Sequence, residues 1–264
     1  MPIRIGAVGY LNARPLVYGL ELMPERFSVR FDVPSKCAAL LHGNSIDVGM
    51  IPSIEYLRGH DVYCIVPDIG IVSDGPVASV ALFASKPIAE IRTIAADTSS
   101  RTSTVLLRIL CYEDLAIDPT FVPMVPDATS MLTQCDAALL IGDPALFLEH
   151  KSAGLRKIDL GERWTALTGL PFVWAFWAGR PGVLAPADVG ALLSARNGGV
   201  RSSDRIADEY CGPGRAELGQ AYLRENIRYS LGAREQAGLA RYYALAKQYD
   251  LIDSADRGLA FYSR

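Results

Sequence analysis

Short apolar runs alternate with helix-patterned segments along this chain, and the alternation begins twice. The first series reads strand 3–8, helix 15–22, strand 27–31, helix 35–42 and strand 48–51. Runs of this length rich in Val and Ile suit buried strands, and the stretches between them carry helical spacing, so the order is βαβαβ. Pro15 suits a first helical position, Ser35 an N-cap and Gly43 the residue just past a helix end. Strand-like runs follow at 63–66, 69–72 and 77–84. After Lys86-Pro87 the pattern restarts with strand 92–96, helix 100–112, strand 120–125, helix 127–133 and strand 137–141. A helix near Trp164 and a strongly apolar strand at 172–178 come next, and from Pro186 the chain reads as helical.

Two such series predict an α/β protein of two lobes, and 264 residues suffice for both. The apolar runs 77–84 and 172–178 bracket the second series and are expected to carry the chain between lobes as a hinge. On that reading one lobe is 1–85 completed by the helical 179–264, and the other is 86–178. A cleft between lobes is a favoured place for a small ligand, and its closure excludes water.

Polar loops fall where such a cleft needs them. Tyr10-Leu11-Asn12 follows the first strand, Pro52-Ser53-Ile54-Glu55 follows strand 48–51, and Gly142-Asp143 follows strand 137–141. These are carboxyl ends of strands, where open α/β sheets bind ligands. The densest segment is Asp97-Thr98-Ser99-Ser100-Arg101-Thr102-Ser103, with five hydroxyls and a guanidinium at a helix start. Unpaired N–H groups and partial positive charge at such a start, together with Arg101, form a receptor for a carboxylate or phosphate. Each loop also has a plain structural reading: Asn12 as a turn residue, Ser53 as a cap, Asp143 as the cap of the Pro144 helix, and the serines as caps of their own helix.

Composition narrows the function. Lys and Arg number 26 against 29 Asp and Glu, which is no nucleic-acid surface. Five cysteines without a C-x-x-C pair indicate neither a disulfide framework nor a zinc site. No apolar run reaches the length of a membrane span, and no leader pattern precedes the first strand, so a cytoplasmic protein is expected. Signatures for nucleotide phosphates, zinc hydrolysis and a nucleophilic serine are missing. His42, His60 and His150 do not cluster and read as surface residues. Trp164, Trp174 and Trp177 read as packing of the second lobe and its crossing strand, with room for one of them to border a pocket.

Taken together, the segments 8–16 (Val-Gly-Tyr-Leu-Asn-Ala-Arg-Pro-Leu), 51–56 (Ile-Pro-Ser-Ile-Glu-Tyr), 75–80 (Gly-Pro-Val-Ala-Ser-Val), 97–103, 139–146 (Leu-Leu-Ile-Gly-Asp-Pro-Ala-Leu), 159–173 and 229–239 resemble the chorismate dehydratase (MqnA) family of the futalosine route to menaquinone. Ala13 and Ala96 depart from the family pattern, where Thr and Leu are usual. The resemblance implies a periplasmic-binding-protein-like fold of the second type. It also implies loss of water from chorismate to give 3-[(1-carboxyvinyl)oxy]benzoate, with no cofactor, no metal, no nucleic-acid or membrane partner, and a monomer or small homo-oligomer.

On this reading Tyr10, Ser53, Thr98, Ser99, Ser100, Arg101, Thr102, Gly142 and Asp143 bind the substrate. The recognisable segments hold no histidine or lysine placed as a base, only the carboxylates Glu55, Asp97 and Asp143. The expectation is therefore that the substrate's own enolpyruvyl carboxylate takes the proton, while Asn12 and Ser79 orient it and the departing hydroxyl. A protein base, Asp143 or Glu55, is the alternative. Two other functions fit the same scaffold: a non-catalytic binder of a small dicarboxylate, and the sister enzyme of the same route.

Overall fold

The computed structural model describes residues 1–253 and 257–264. In the first series β1 (Ile3–Val8), β2 (Phe27–Asp32) and β3 (Val48–Pro52) are parallel with β1 central, and α1 (Pro34–His42) connects β2 to β3. The helix expected from Pro15 is instead two 3-10 turns, Leu11–Val17 and Leu20–Leu22, separated by Gly19 at φ 75°. Pro15 lies inside the first turn. Lacking an N–H, it cannot donate the bond a continuing α-helix needs, and a short 3-10 turn accommodates it.

Two cap assignments also shift. Val33 occupies the N-cap position of α1 without a side-chain cap bond, and Ser35, inside the helix, donates its N–H to the Ser99 carbonyl at 3.2 Å. At the far end Gly43 keeps an ordinary φ of −84°, and Asn44 takes the left-handed conformation at φ 56°. Asn tolerates that region better than most side chains.

The chain continues through α2 (Glu55–Arg58), β4 (Cys64–Ile65) and β5 (Ile71–Ser73) into β6 (Val80–Ala84). The second series is β7 (Thr93–Asp97), α3 (Thr102–Leu110), β8 (Thr120–Met124), α4 (Ala128–Gln134), β9 (Ala137–Ile141), α5 (Gly142–Leu146) and β10 (Arg156–Asp159). α6 (Leu160–Thr168) then leads to β11 (Phe172–Gly179). The first sheet has the order β2-β1-β3-β11-β4, with β5 also on β11, and the second has β10-β6-β9-β7-β8. Each sheet thus has a centre of three parallel strands joined by an antiparallel strand, β11 on β3 and β6 on β9. Every residue of β6 and β11 is buried, which explains their unbroken apolar sequences. Pro123 sits in β8, at an edge, where its missing donor costs no ladder bond.

The two apolar runs are not themselves the crossings. β6 belongs to the second sheet and β11 to the first, so the chain passes between sheets at 74–79 and 160–171. Asp159 ties those passages together, its carboxylate accepting from Val77 N (3.0 Å), Ala78 N (2.7 Å), Gly161 N (2.9 Å) and Glu162 N (3.1 Å). A Cβ on Gly161 would fall 2.7 Å from the Gly75 carbonyl, so only glycine permits this approach. The C-terminal helices α7 (Pro186–Arg201), α8 (Ser203–Cys211), α9 (Ala216–Ala221) and α10 (Ala233–Gln248) follow; α7 and α8 pack on the Leu11–Val17 turn, and α10 on β11 and α3. Among the described residues no helix is long and apolar enough to cross a membrane.

Candidate active site between the lobes

The carboxyl ends of both sheets face a common cleft with about 500 Å³ of free space including its open mouth. From the first sheet come Tyr10 and Asn12 after β1, Pro52 at the end of β3, and Trp174 on β11; from the second come Ser100 to Ser103 after β7 and Gly142 after β9. Trp174 is the indole that borders the cleft, its N–H donating to Ser73 Oγ at 3.1 Å.

Arg101 holds the N-cap position of α3 and makes no side-chain cap bond. Among the described residues no serine before it caps the helix through its side chain, and the start of a helix that lines the cleft favours an anion. Asp97 fixes the turn leading to it by accepting from Ser99 N (2.7 Å) and Ser99 Oγ (2.6 Å). Burial pushes the Asp97 carboxyl above its usual range, against the opposing Ser99 bonds.

The predicted contact residues separate into groups. Tyr10, Asn12, Ser100, Arg101, Thr102 and Gly142 line the cleft. The Ser99 hydroxyl is taken by Asp97, and Thr98 is exposed in a hollow on the other side of the turn. Ser53 is wholly buried behind Thr102; its Oγ lies 3.4 Å from Thr102 Oγ1, which also accepts from Ile54 N at 3.2 Å. Ser103 lines the cleft as well, although it was not among the predicted contacts.

Arg101 is not a solitary cation. Its Nη1 lies 3.3 Å from Glu55 Oε2, and buried Glu55 also takes Arg58 Nη1 (3.2 Å) and His42 Nε2 (3.2 Å). Burial raises the Glu55 carboxyl, but His42, Arg101 and Arg58 together outweigh it and leave the group below its usual range. His42, read from sequence as a surface residue, is part-buried and joins Glu55 to the Tyr63 hydroxyl at 2.9 Å.

Asn12 stands apart from these satisfied groups. Its carbonyl accepts from the Tyr229 hydroxyl at 2.9 Å, yet its side-chain Oδ1 is buried with no hydrogen-bond partner among the described residues. An unpaired buried amide oxygen costs about 1–3 kcal/mol, which a ligand donor in the cleft would recover. Ser79 does not line the cleft; its Oγ is 2.6 Å from the Tyr222 hydroxyl. Tyr222, buried and pushed above its usual range mainly by burial, is bonded by Ser79 and also feels the Asn12 amide. Tyr222 thus stands between the two residues expected to be catalytic.

Asp143 is neither free nor the cap of its own helix. Oδ1 accepts from Leu11 N at 3.1 Å and Oδ2 from the Tyr210 hydroxyl. Gly142 beside it has φ 62°, and a Cβ there would lie 2.5 Å from the Tyr10 ring. Tyr210 and Tyr222 come from the C-terminal helical region, where only ordinary packing was legible.

The fold is that of the periplasmic binding proteins, two sheets with a cleft between them. The alkanesulfonate-binding protein SsuA of Xanthomonas axonopodis pv. citri, bound to MOPS, matches with TM-score 0.70 at 19% identity over 96% of this chain and 94% of its own. The CA3427 gene product of Candida albicans, described as having the generic periplasmic binding protein fold, matches with TM-score 0.64 at 12% identity over 97% and 92%. A family model described as menaquinone biosynthesis matches residues 3–248, and the chain belongs to that family. A chorismate dehydratase of Thermus thermophilus is 30% identical over 260 residues, covering 90% of this chain and 93% of its own.

Proposed function

We propose that this protein is a cytoplasmic hydro-lyase that dehydrates chorismate to 3-[(1-carboxyvinyl)oxy]benzoate in menaquinone biosynthesis. The observation that carries the reading is that Asn12, whose buried Oδ1 has no hydrogen-bond partner among the described residues, lines the same cleft as the start of α3. Chorismate supplies what both lack. Its ring hydroxyl is a donor for Asn12, and a carboxylate suits the helix start with Ser100 and Ser103.

The elimination removes the proton on the ring carbon bearing the enolpyruvyl ether and the hydroxyl on its neighbour, leaving an aromatic ring and water. The ring carboxylate delocalises the transient negative charge, and N–H and O–H donors aimed at it stabilise that charge. The protein's carboxylates are poorly suited to take the proton. Glu55 is held below its usual range by a His42 hydrogen bond and the Arg101 and Arg58 guanidiniums, and both Asp143 oxygens are engaged. Asp97 has a free oxygen but does not line the cleft. This supports the substrate's enolpyruvyl carboxylate as the base, held by Asn12, with Ser79 acting on Asn12 through Tyr222. Fixing one reactive conformer in this way contributes up to roughly 7–11 kcal/mol toward lowering a barrier.

Mixing purified protein with chorismate and following the ultraviolet spectrum tests the activity. The benzoate-type spectrum of the product is expected without any addition. A spectrum unchanged while chorismate binds would make the protein a binder and refute the proposal.

A further inference from the structure

The Gly142-Asp143 step joins the lobes at the residues that form the site. Asp143 stands on α5, which follows a strand of the second sheet, yet both its oxygens are held from the other lobe: by Leu11 N at 3.1 Å and by the Tyr210 hydroxyl of α8. The same hydroxyl lies 3.0 Å from the Gly9 carbonyl. Gly9, Leu11 and the Tyr10 ring seated on Gly142 are consecutive and lead directly to Asn12. Gly142 N, in turn, donates to the Ser79 carbonyl at 2.8 Å. One dipeptide of the second lobe therefore bonds the Leu11 N–H and the Ser79 carbonyl directly, packs against the Tyr10 ring, and reaches the Gly9 carbonyl through the Tyr210 hydroxyl.

We infer that Asp143 is a positioning residue: with Tyr210 it latches the lobes shut and sets the Tyr10–Asn12 segment against the substrate, without itself taking a proton. The latch exists only while the cleft is closed, because its donors and its acceptor belong to different lobes. Opening leaves the Tyr210 hydroxyl with the Gly9 carbonyl and returns Asp143 to water. Both ends thus keep polar partners in the open state, as a reversible contact requires. The latch already draws the ligand-free protein toward closure, a ligand that fills the cleft adds its own contacts to it, and Asn12 is held in its working position by the same contacts.

Three variants test the role, which for its kinetic arm rests on the activity proposed above. Asp143→Ala removes the acceptor, and loss of hydrogen bonds to a charged group should raise KM about ten- to a hundredfold and lower kcat as Asn12 loses its seat. Asp143→Asn keeps an oxygen for Leu11 N, and its amide donates to the Tyr210 hydroxyl, which turns its proton to Gly9; most of the loss should be recovered. Tyr210→Phe leaves Asp143 in place and should fall between the two. Small-angle scattering of ligand-free protein provides an arm independent of chorismate: Asp143→Ala should have a larger radius of gyration than wild type, and Asp143→Asn should restore it. Thermal melts identify any variant that does not fold, in which case Tyr210→Phe carries the comparison. The latch is refuted if Asp143→Asn is as inactive as Asp143→Ala at unchanged radius, which marks a proton-transfer or substrate-contact role. It is refuted equally if every variant matches wild type. Absence of turnover in wild type would instead refute the chorismate reading and leave the scattering arm standing.

Discussion

Replacing Gly142 by Ala should damage stability and turnover through one contact. At φ 62° an alanine pays about 1–2 kcal/mol for the left-handed backbone. Its Cβ would stand 2.5, 2.6 and 2.8 Å from three atoms of the Tyr10 ring, and such overpacking typically costs another 1–3 kcal/mol. Tyr10 is only partly buried and can swing away, so the sum should settle near the lower end, about 2 kcal/mol. In a chain of 264 residues that is a fall in Tm of about 4–8 °C by differential scanning calorimetry. A displaced Tyr10 also displaces Asn12, so kcat/KM should drop about tenfold or more. The Tyr10→Ala background separates the terms: there Gly142→Ala should cost only its backbone share, giving a coupling energy of about 1 kcal/mol. Equal costs in both backgrounds, with unchanged kcat/KM, would refute the claim that this contact sets the cleft wall.

Other perturbations follow from the same geometry. Asn12→Ala should lower kcat by about a hundredfold or more while chorismate affinity, measured by calorimetry, changes only a few-fold. Tyr222→Phe and Ser79→Ala should each cost about 1 kcal/mol in urea denaturation and show clear non-additivity when combined, since each removes one end of a 2.6 Å bond. Glu55→Gln should cost about 1–3 kcal/mol, below the cost of a fully buried pair because its Arg and His partners are partly exposed. The sign with pH follows from the lowered carboxyl: its stabilisation is complete above the unfolded value near 4.3 and lost as pH falls through the lower folded value. Denaturation curves should therefore separate wild type from Glu55→Gln by a constant amount from pH 8 to about 5, with the gap narrowing in acid.

Local patterns carried most of the fold and part of the site. The two series of parallel strands were legible in part because β3 and β9 are buried along their whole length and read as short apolar runs, as do the antiparallel β6 and β11. Their sheet membership was not legible, because an apolar run is the same whether it ends one lobe or opens the next. Pro15 illustrates a different limit: its ring suits a helix start, and only the neighbouring chain decides that it sits within a 3-10 turn. In the site, Asn12 and the 97–103 segment stand out because each directly follows a strand. The partners that tune them leave no local trace. Tyr222 is 143 residues from Ser79, Tyr210 is 67 from Asp143, and Arg101 is 46 from the Glu55 that holds it. Such pairs are products of tertiary packing, and an isolated Tyr or Glu on a helix face reads the same with or without them.

The most direct test of the account is a crystal structure of the protein with the dehydration product bound. The ring should lie in the cleft between the sheets, with one carboxylate within hydrogen-bonding distance of the first turn of α3 and the enolpyruvyl group beside Asn12. A product seated elsewhere, with residues 99–103 turned toward solvent, would contradict it.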